Sequence, residues 1–237
     1  MTSHSVNFST GNSGNSLREA VIKTGPGCQQ EGAFCQFLGR DIAPEVYALI
    51  PDGYIMEALK PATLRTGTLW EIEYSLDVLV WNRPALPISM EQPWQDYLSE
   101  FGITAPEGVI VTDPCLVHGD PTASNVLWRQ PTDSASDTKL ILADPRPPRA
   151  FIPQHRETDM GRILQSYMGW EVAAYGAKPI NFIKPAFFRD KDLMRAATFW
   201  CGAAAARIEF LEKRRTDRPK RERILNWCAN VRTLCNV

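Results

Sequence analysis

The sequence predicts an α+β chain in two lobes: a small antiparallel sheet with one helix over residues 1–59, then a larger, mainly helical part over residues 60–237. Three observations carry this expectation. Short strand-like runs punctuated by turns fill the first sixty residues, apolar residues recur at helical spacing over most of the remainder, and the proline-rich NRPALPIS separates two of those helical stretches. With 237 residues and 44% apolar content, the chain can bury a substantial core unaided. Lys+Arg 26 against Asp+Glu 27 leaves a net charge of -1, so no global field recruits nucleic acid or an anionic membrane. The opening MTSHSVNFSTGNSGNS has no basic region followed by an apolar run, and no segment reaches the roughly 18 apolar residues of a membrane span. A cytoplasmic protein with neither nucleic acid nor membrane as partner is expected. The six cysteines show no metal-ligand spacing and are expected to be reduced core thiols.

Taken in order, residues 5–9 and 17–24 read as strands, and so do 45–50 and 54–58 across the turn Pro51-Asp52-Gly53. Between these pairs, QQEGAFCQFLG places Phe34, Phe37 and Leu38 at helical spacing, with Gly39 as a stop. Helices are expected over 69–81, 92–101, 159–174, 191–214 and 219–234. Two apolar runs, 109–112 and 140–143, flank a polar motif and suggest a hairpin beside it, with PTDSASDT as a turn. The basic RRTDRPKRER reads as a solvated break between helices, and the tryptophans read mostly as core, with Trp170 the one to consider as a pocket wall. Glu71, Glu73 and Asp77 read as a solvated helical face.

The polar motif is HGDPTASN, His118 to Asn125. Phosphoryl transfer from ATP asks a protein chiefly for placement: a group to orient the acceptor hydroxyl, oxygen ligands for Mg²⁺, and a cation on the phosphates. Asp120 can accept the hydroxyl proton, and Asn125, five residues on, offers a neutral carbonyl oxygen to the metal. Asp144, just after the apolar run in LILADPRP, supplies a hard carboxylate oxygen. AVIK ends a strand on Lys23, a candidate for the α/β-phosphates, and Glu31 opens the next helix as its partner. FSTGNSGNS carries Gly11 and Gly14, whose backbone N–H groups can bend over the phosphates, although it is neither GxGxxG nor a Walker loop. In YIMEAL, Met56, Glu57 and Leu59 are candidate adenine contacts, through the backbone of Glu57 and Leu59.

These residues resemble the aminoglycoside phosphotransferase and choline-kinase branch of the protein kinase-like fold, where the catalytic loop reads HGD. The closest flavour is the bacterial and phage group with an HGDxTxSN loop, a DP dipeptide and a DLGKxLQS helix; here stand HGDPTASN, ADPRP and TDMGRILQS, and the resemblance spans roughly residues 8 to 175. It implies a two-lobed kinase-like fold with Asp120 as catalytic base, Asn125 and Asp144 as Mg²⁺ ligands, Lys23 on the phosphates and Glu31 as its partner. It further implies that His118 braces the loop and that Asp159 accepts hydrogen bonds from loop N–H groups. Two spacings depart from the family: Asn125 and Asp144 lie further apart, and Lys23 and Glu31 closer. With no DFG or APE segment, the expected acceptor is a small hydroxylated molecule such as a sugar, an aminoglycoside or an amino alcohol. The alternatives are a protein hydroxyl, or a catalytically silent nucleotide- or partner-binding regulator.

Overall fold

Four strands open the chain and pair antiparallel in the order β1-β2-β4-β3: β1 (Thr2–Phe8), β2 (Arg18–Thr24), β3 (Val46–Ile50) and β4 (Gly53–Glu57). The computed structural model describes residues 2–8, 18–87, 94–129, 139–147, 153–213 and 216–237. A single helix, α1 (Cys28–Leu38), packs on β3 and β4. It ends where Gly39 leaves the helical region, with the Gly39 N–H capping Cys35 O. A second sheet runs β5-β6-β7, from β5 (Lys60–Pro61), β6 (Val126–Arg129) and β7 (Lys139–Leu142). Both sheets belong to one compact unit, residues 1–63 with 125–147, and the rest of the chain forms the other. A linear division at residue 59 would place 125–147 with the helices.

In the first unit Arg129 is central. Its guanidinium pairs with the Glu57 carboxylate and bonds Arg40 O and Ala43 O, which ties the second sheet to the first. The Tyr54 ring lies under α1 at Gly32, where a β-carbon would stand 2.6 Å from Tyr54 Cγ. Glycine is thus the residue that lets this helix approach the sheet.

The second unit is helical: α2 (Thr68–Leu76) continued by a π turn (Asp77–Trp81), α3 (Trp94–Ser99), α4 (Arg156–Tyr167), α5 (Trp170–Tyr175), α6 (Lys191–Glu212) and α7 (Arg218–Cys235). Helix α4 packs along α6, α6 along α7, and α2 against α4. Asp190 caps α6 through the N–H groups of Asp192 and Leu193, and Asp217 caps α7 through Lys220 N–H. All six cysteines are buried and free. Among the described residues no helix is long and apolar enough to cross a membrane.

Four expectations need correction. Residues 109–112 form no strand. The Val111 and Thr112 N–H groups bond Glu157 Oε1 and Val109 O accepts from Trp200 Nε1, so side chains replace a ladder; the partner of β7 is β6, directly after the motif. The helix over 159–174 breaks at Gly169, whose φ of 86 suits a residue without a β-carbon. Trp70 is exposed, whereas Trp81, Trp200 and Trp227 are core. Glu73 is buried, both oxygens accepting N–H groups at Ala186 and Phe187; Glu71 pairs with Arg65. The PTDSASDT turn and residues 214–215 lie outside the described residues.

Gly32→Ala should destabilise the chain by about 1–3 kcal/mol, because the added carbon overlaps the Tyr54 ring. Chemical denaturation reads this as a lowered midpoint, and an unchanged midpoint would contradict the close packing of ring on helix.

Candidate active site

In the first unit, Lys23 on β2 and Tyr54 on β4 are opposite partners in the ladder. Period-two alternation therefore sends both side chains to one face, beneath α1, where Glu31 sits in the first helical turn. Lys23 Nζ donates to Glu31 Oε1 at 2.6 Å and Tyr54 Oη donates to the same oxygen at 2.6 Å. The ammonium also donates to Asp144 Oδ1 at 2.7 Å. Lys23 is 7% exposed and Glu31 6%, so the pair is buried, while the Asp144 side chain is 50% exposed. Burial alone would lower the Lys23 pKa; attraction and hydrogen bonding to Asp144, then to Glu31, outweigh it and leave the pKa raised. Burial pushes the Tyr54 phenol up as well, so it stays a donor.

Asn125 and Asp144 are brought to the same end of one hairpin. Val126 pairs with Leu142, and the ladder runs one rung further, Ala143 N–H donating to Asn125 O at 2.8 Å. Asp144 follows immediately with φ 55, a left-handed backbone that aspartate tolerates better than most residues. A half-exposed carboxylate and an amide-bearing residue at the same end of one hairpin are residue types that suit a hard cation that keeps water and phosphate oxygens as its other ligands. Met56 and Glu57 end β4, and Leu59 lies between β4 and β5. The Glu57 N–H is committed to Glu45 O and its carboxylate to Arg129. Gly11 and Gly14 lie outside the described residues.

The second unit carries the loop. His118 is fully buried, and its Nδ1 accepts from Asp120 N–H at 3.4 Å, which assigns the ring proton to Nε2. Asp159 on α4 receives three donors: His118 N–H at 2.8 Å, Gly119 N–H at 2.7 Å and Trp81 Nε1 at 3.0 Å. Burial pushes its pKa up to about 6, against those three donors and with the Asp120 charge adding to the rise.

Three residues of α4 and α5 that meet this loop were not singled out by sequence. Arg162 Nε lies 3.8 Å from Asp120 Oδ1. Ser166 Oγ accepts from Ala123 N–H at 2.9 Å and donates to Glu171 Oε1 at 2.8 Å, and the same oxygen takes Ser124 N–H at 3.2 Å. Asp159, Arg162 and Ser166 fall at i, i+3 and i+7, one stripe of α4, and that spacing was the signal in TDMGRILQS. Burial raises the Glu171 pKa. Trp170 packs edge-on to Trp227.

No family model matches the sequence, and no curated protein matches it. Solved structures do. An ethanolamine kinase of Plasmodium vivax superposes with a TM-score of 0.55 at 11% identity, over 93% of this chain and 76% of that one. The chain has the protein kinase-like fold. A putative fructosamine-3-kinase from Thermobifida fusca aligns with a TM-score of 0.47 and 15% identity, over 91% of this chain and 86% of that one. In the kinase-like fold found here, Lys23, Glu31, Asn125 and Asp144 fall in the unit that holds the sheets, and Asp120 in the helical unit.

Glu31→Ala should cost about 3–5 kcal/mol, since it strips a buried ammonium of one of its two carboxylates. Glu31→Gln, which keeps an acceptor oxygen, should cost less. Thermal or denaturant unfolding of the two variants checks the order.

Proposed function

We propose that the protein transfers the γ-phosphoryl group of ATP to a hydroxyl of a small molecule. The observation that carries this reading is the buried Lys23 ammonium, held by Glu31 and Asp144 on a kinase-like fold. A lysine taken out of water between two carboxylates is an expensive feature for stability alone. It is a ready cation for the phosphates once Asp144 turns to a metal ion.

In this reading Asp120 accepts the proton of the acceptor hydroxyl as its oxygen forms a bond to the γ-phosphorus, and the bond from that phosphorus to the β,γ-bridging oxygen breaks, releasing ADP. His118, through Nδ1, and Asp159, through the N–H groups of His118 and Gly119, hold the backbone that carries Asp120; Arg162 stands at its carboxylate. Asn125 and Asp144 would hold Mg²⁺, which when bound screens the charge on the phosphate oxygens. The Leu59 backbone and the Glu57 carbonyl, beside Met56, take the adenine edge, and Gly11 and Gly14 cover the phosphates. The acceptor is a sugar, aminoglycoside or amino alcohol; one structural neighbour is an ethanolamine kinase, which puts amino alcohols among the first to try.

The experiment is ADP release from Mg-ATP with and without a panel of sugars, aminoglycosides and amino alcohols, alongside labelling of the protein itself. Asp120→Asn should reduce turnover by about 10³-fold or more while ATP affinity stays within about twofold. Asp144→Ala should lose the metal-dependent part of nucleotide binding. Full activity in both variants overturns the assignment, and nucleotide binding without turnover on any acceptor favours a silent regulator.

A further inference from the structure

A cavity of about 490 Å³ lies wholly within the helical unit. This is within the size range of small-molecule sites. Its aromatic walls are Trp70, Tyr74, Trp81 and Phe187, and two guanidinium groups, Arg156 and Arg189, face it. Asp120 is not among its lining residues. Nothing in the proposed phosphoryl transfer uses it.

Two features ask for an occupant. The first is Arg156, whose Nε is buried and without a hydrogen-bond partner among the described residues. Buried donors without an acceptor are rare and costly, so this edge of the guanidinium invites an oxygen. The lining carboxylates do not supply one. Glu73 spends both oxygens on the N–H groups of Ala186 and Phe187, and Asp190 caps α6. Asp77 is exposed at the rim, where water screens it. The Nε edge is the side on which arginine takes a carboxylate with two parallel bonds. The second feature is the pair Trp70 and Tyr74, one turn apart on α2, stacked at 5.6 Å yet 48% and 58% exposed. Two large rings left in water beside a cavity form a surface on which another ring can stack.

We infer that this cavity binds a small aromatic carboxylate, its acid group paired with Arg156, with Arg189 adding positive charge, and its ring against Trp70 and Tyr74. An occupant also meets Trp81, whose indole N–H holds Asp159 and through it the loop backbone at His118 and Gly119. The site is therefore wired to the loop that carries Asp120 without belonging to it.

The test uses the whole chain without nucleotide, so its outcome is independent of phosphoryl transfer. Phenylacetate, phenylacetamide and acetate are titrated separately, followed by calorimetry and tryptophan fluorescence. Phenylacetate should bind saturably with a Kd of about 1 mM or tighter. The amide and acetate should each bind at least about tenfold more weakly. Arg156→Met should erase the preference for acid over amide, Arg156→Lys should restore it only in part, and Tyr74→Ala should weaken acid and amide alike. Circular dichroism shows whether the Arg156 variants fold; if they do not, Arg189→Met and Tyr74→Ala, both on exposed side chains, carry the test. Absence of saturable phenylacetate binding, equal affinity for the amide, or an undiminished preference in the folded arginine variants overturns the inference.

Discussion

A single ammonium group organises the first unit. Removing a lysine head from water costs several kcal/mol, and that cost is met only where oxygens surround it closely. Glu31 and Asp144 do so from two directions, one from a helix resting on the first sheet and one from the end of the second. The constraint spreads outward. Glu31 must stand one turn into α1, α1 must lie close enough to take the Tyr54 hydroxyl, and Gly32 must lack a side chain for that approach to occur. Remove the ammonium and the reason for each of these details goes with it.

The second unit solves a different problem, that of an irregular loop whose backbone donors point inward. Residues 118–122 form neither helix nor strand; inside the loop Thr122 N–H finds an acceptor at Asp120 O and Asp120 N–H at His118 Nδ1, so the other buried N–H groups need acceptors from elsewhere. Helix α4 provides them along one stripe: Asp159 takes the N–H groups at His118 and Gly119, and Ser166 the one at Ala123. Glu171, on the far side of the helix break at Gly169, extends the same service to Ser124. A rigid helix thus fixes a loop whose regular structure is one 3-10 turn, Ala123–Asn125. In the proposed reaction, Asp120 is the side chain that this support would hold in place.

What could be read from the sequence followed the range of the forces involved. The strand and helix patterns of the first sixty residues, the approximate extents of α6 and α7, and the pairing of Lys23 with Glu31 are visible because each depends on near neighbours or on periodicity. The bond from Lys23 to Asp144 joins segments far apart in the chain, and no local pattern announces it. The 109–112 run misled for a related reason. Apolar composition looks the same whether a segment is paired to a strand or held by the Glu157 carboxylate and the Trp200 indole. Arg162 and Ser166 were present in a helix already marked by Asp159, and only the three-and-four spacing separated them from its other polar residues.

The long separation in sequence between Asn125 and Asp144 has a simple physical resolution in the hairpin. Register along β6 and β7 is set by the pairs from Val126 and Leu142 to Arg129 and Lys139, and then by the Ala143 to Asn125 bond beyond them. Asn125 and Asp144 stand beyond the Val126–Leu142 end of this ladder, and residues 130–138 join the strands beyond the other end. Lengthening a turn raises its closure entropy only logarithmically, by roughly 0.6 kcal/mol for each doubling, and it moves nothing at the far end of a paired ladder. Sequence distance is therefore a poor measure of this site, and pairing register a good one. A one-residue slip of β7 would leave the chain length between Asn125 and Asp144 unchanged and still turn every side chain on that strand to the opposite face.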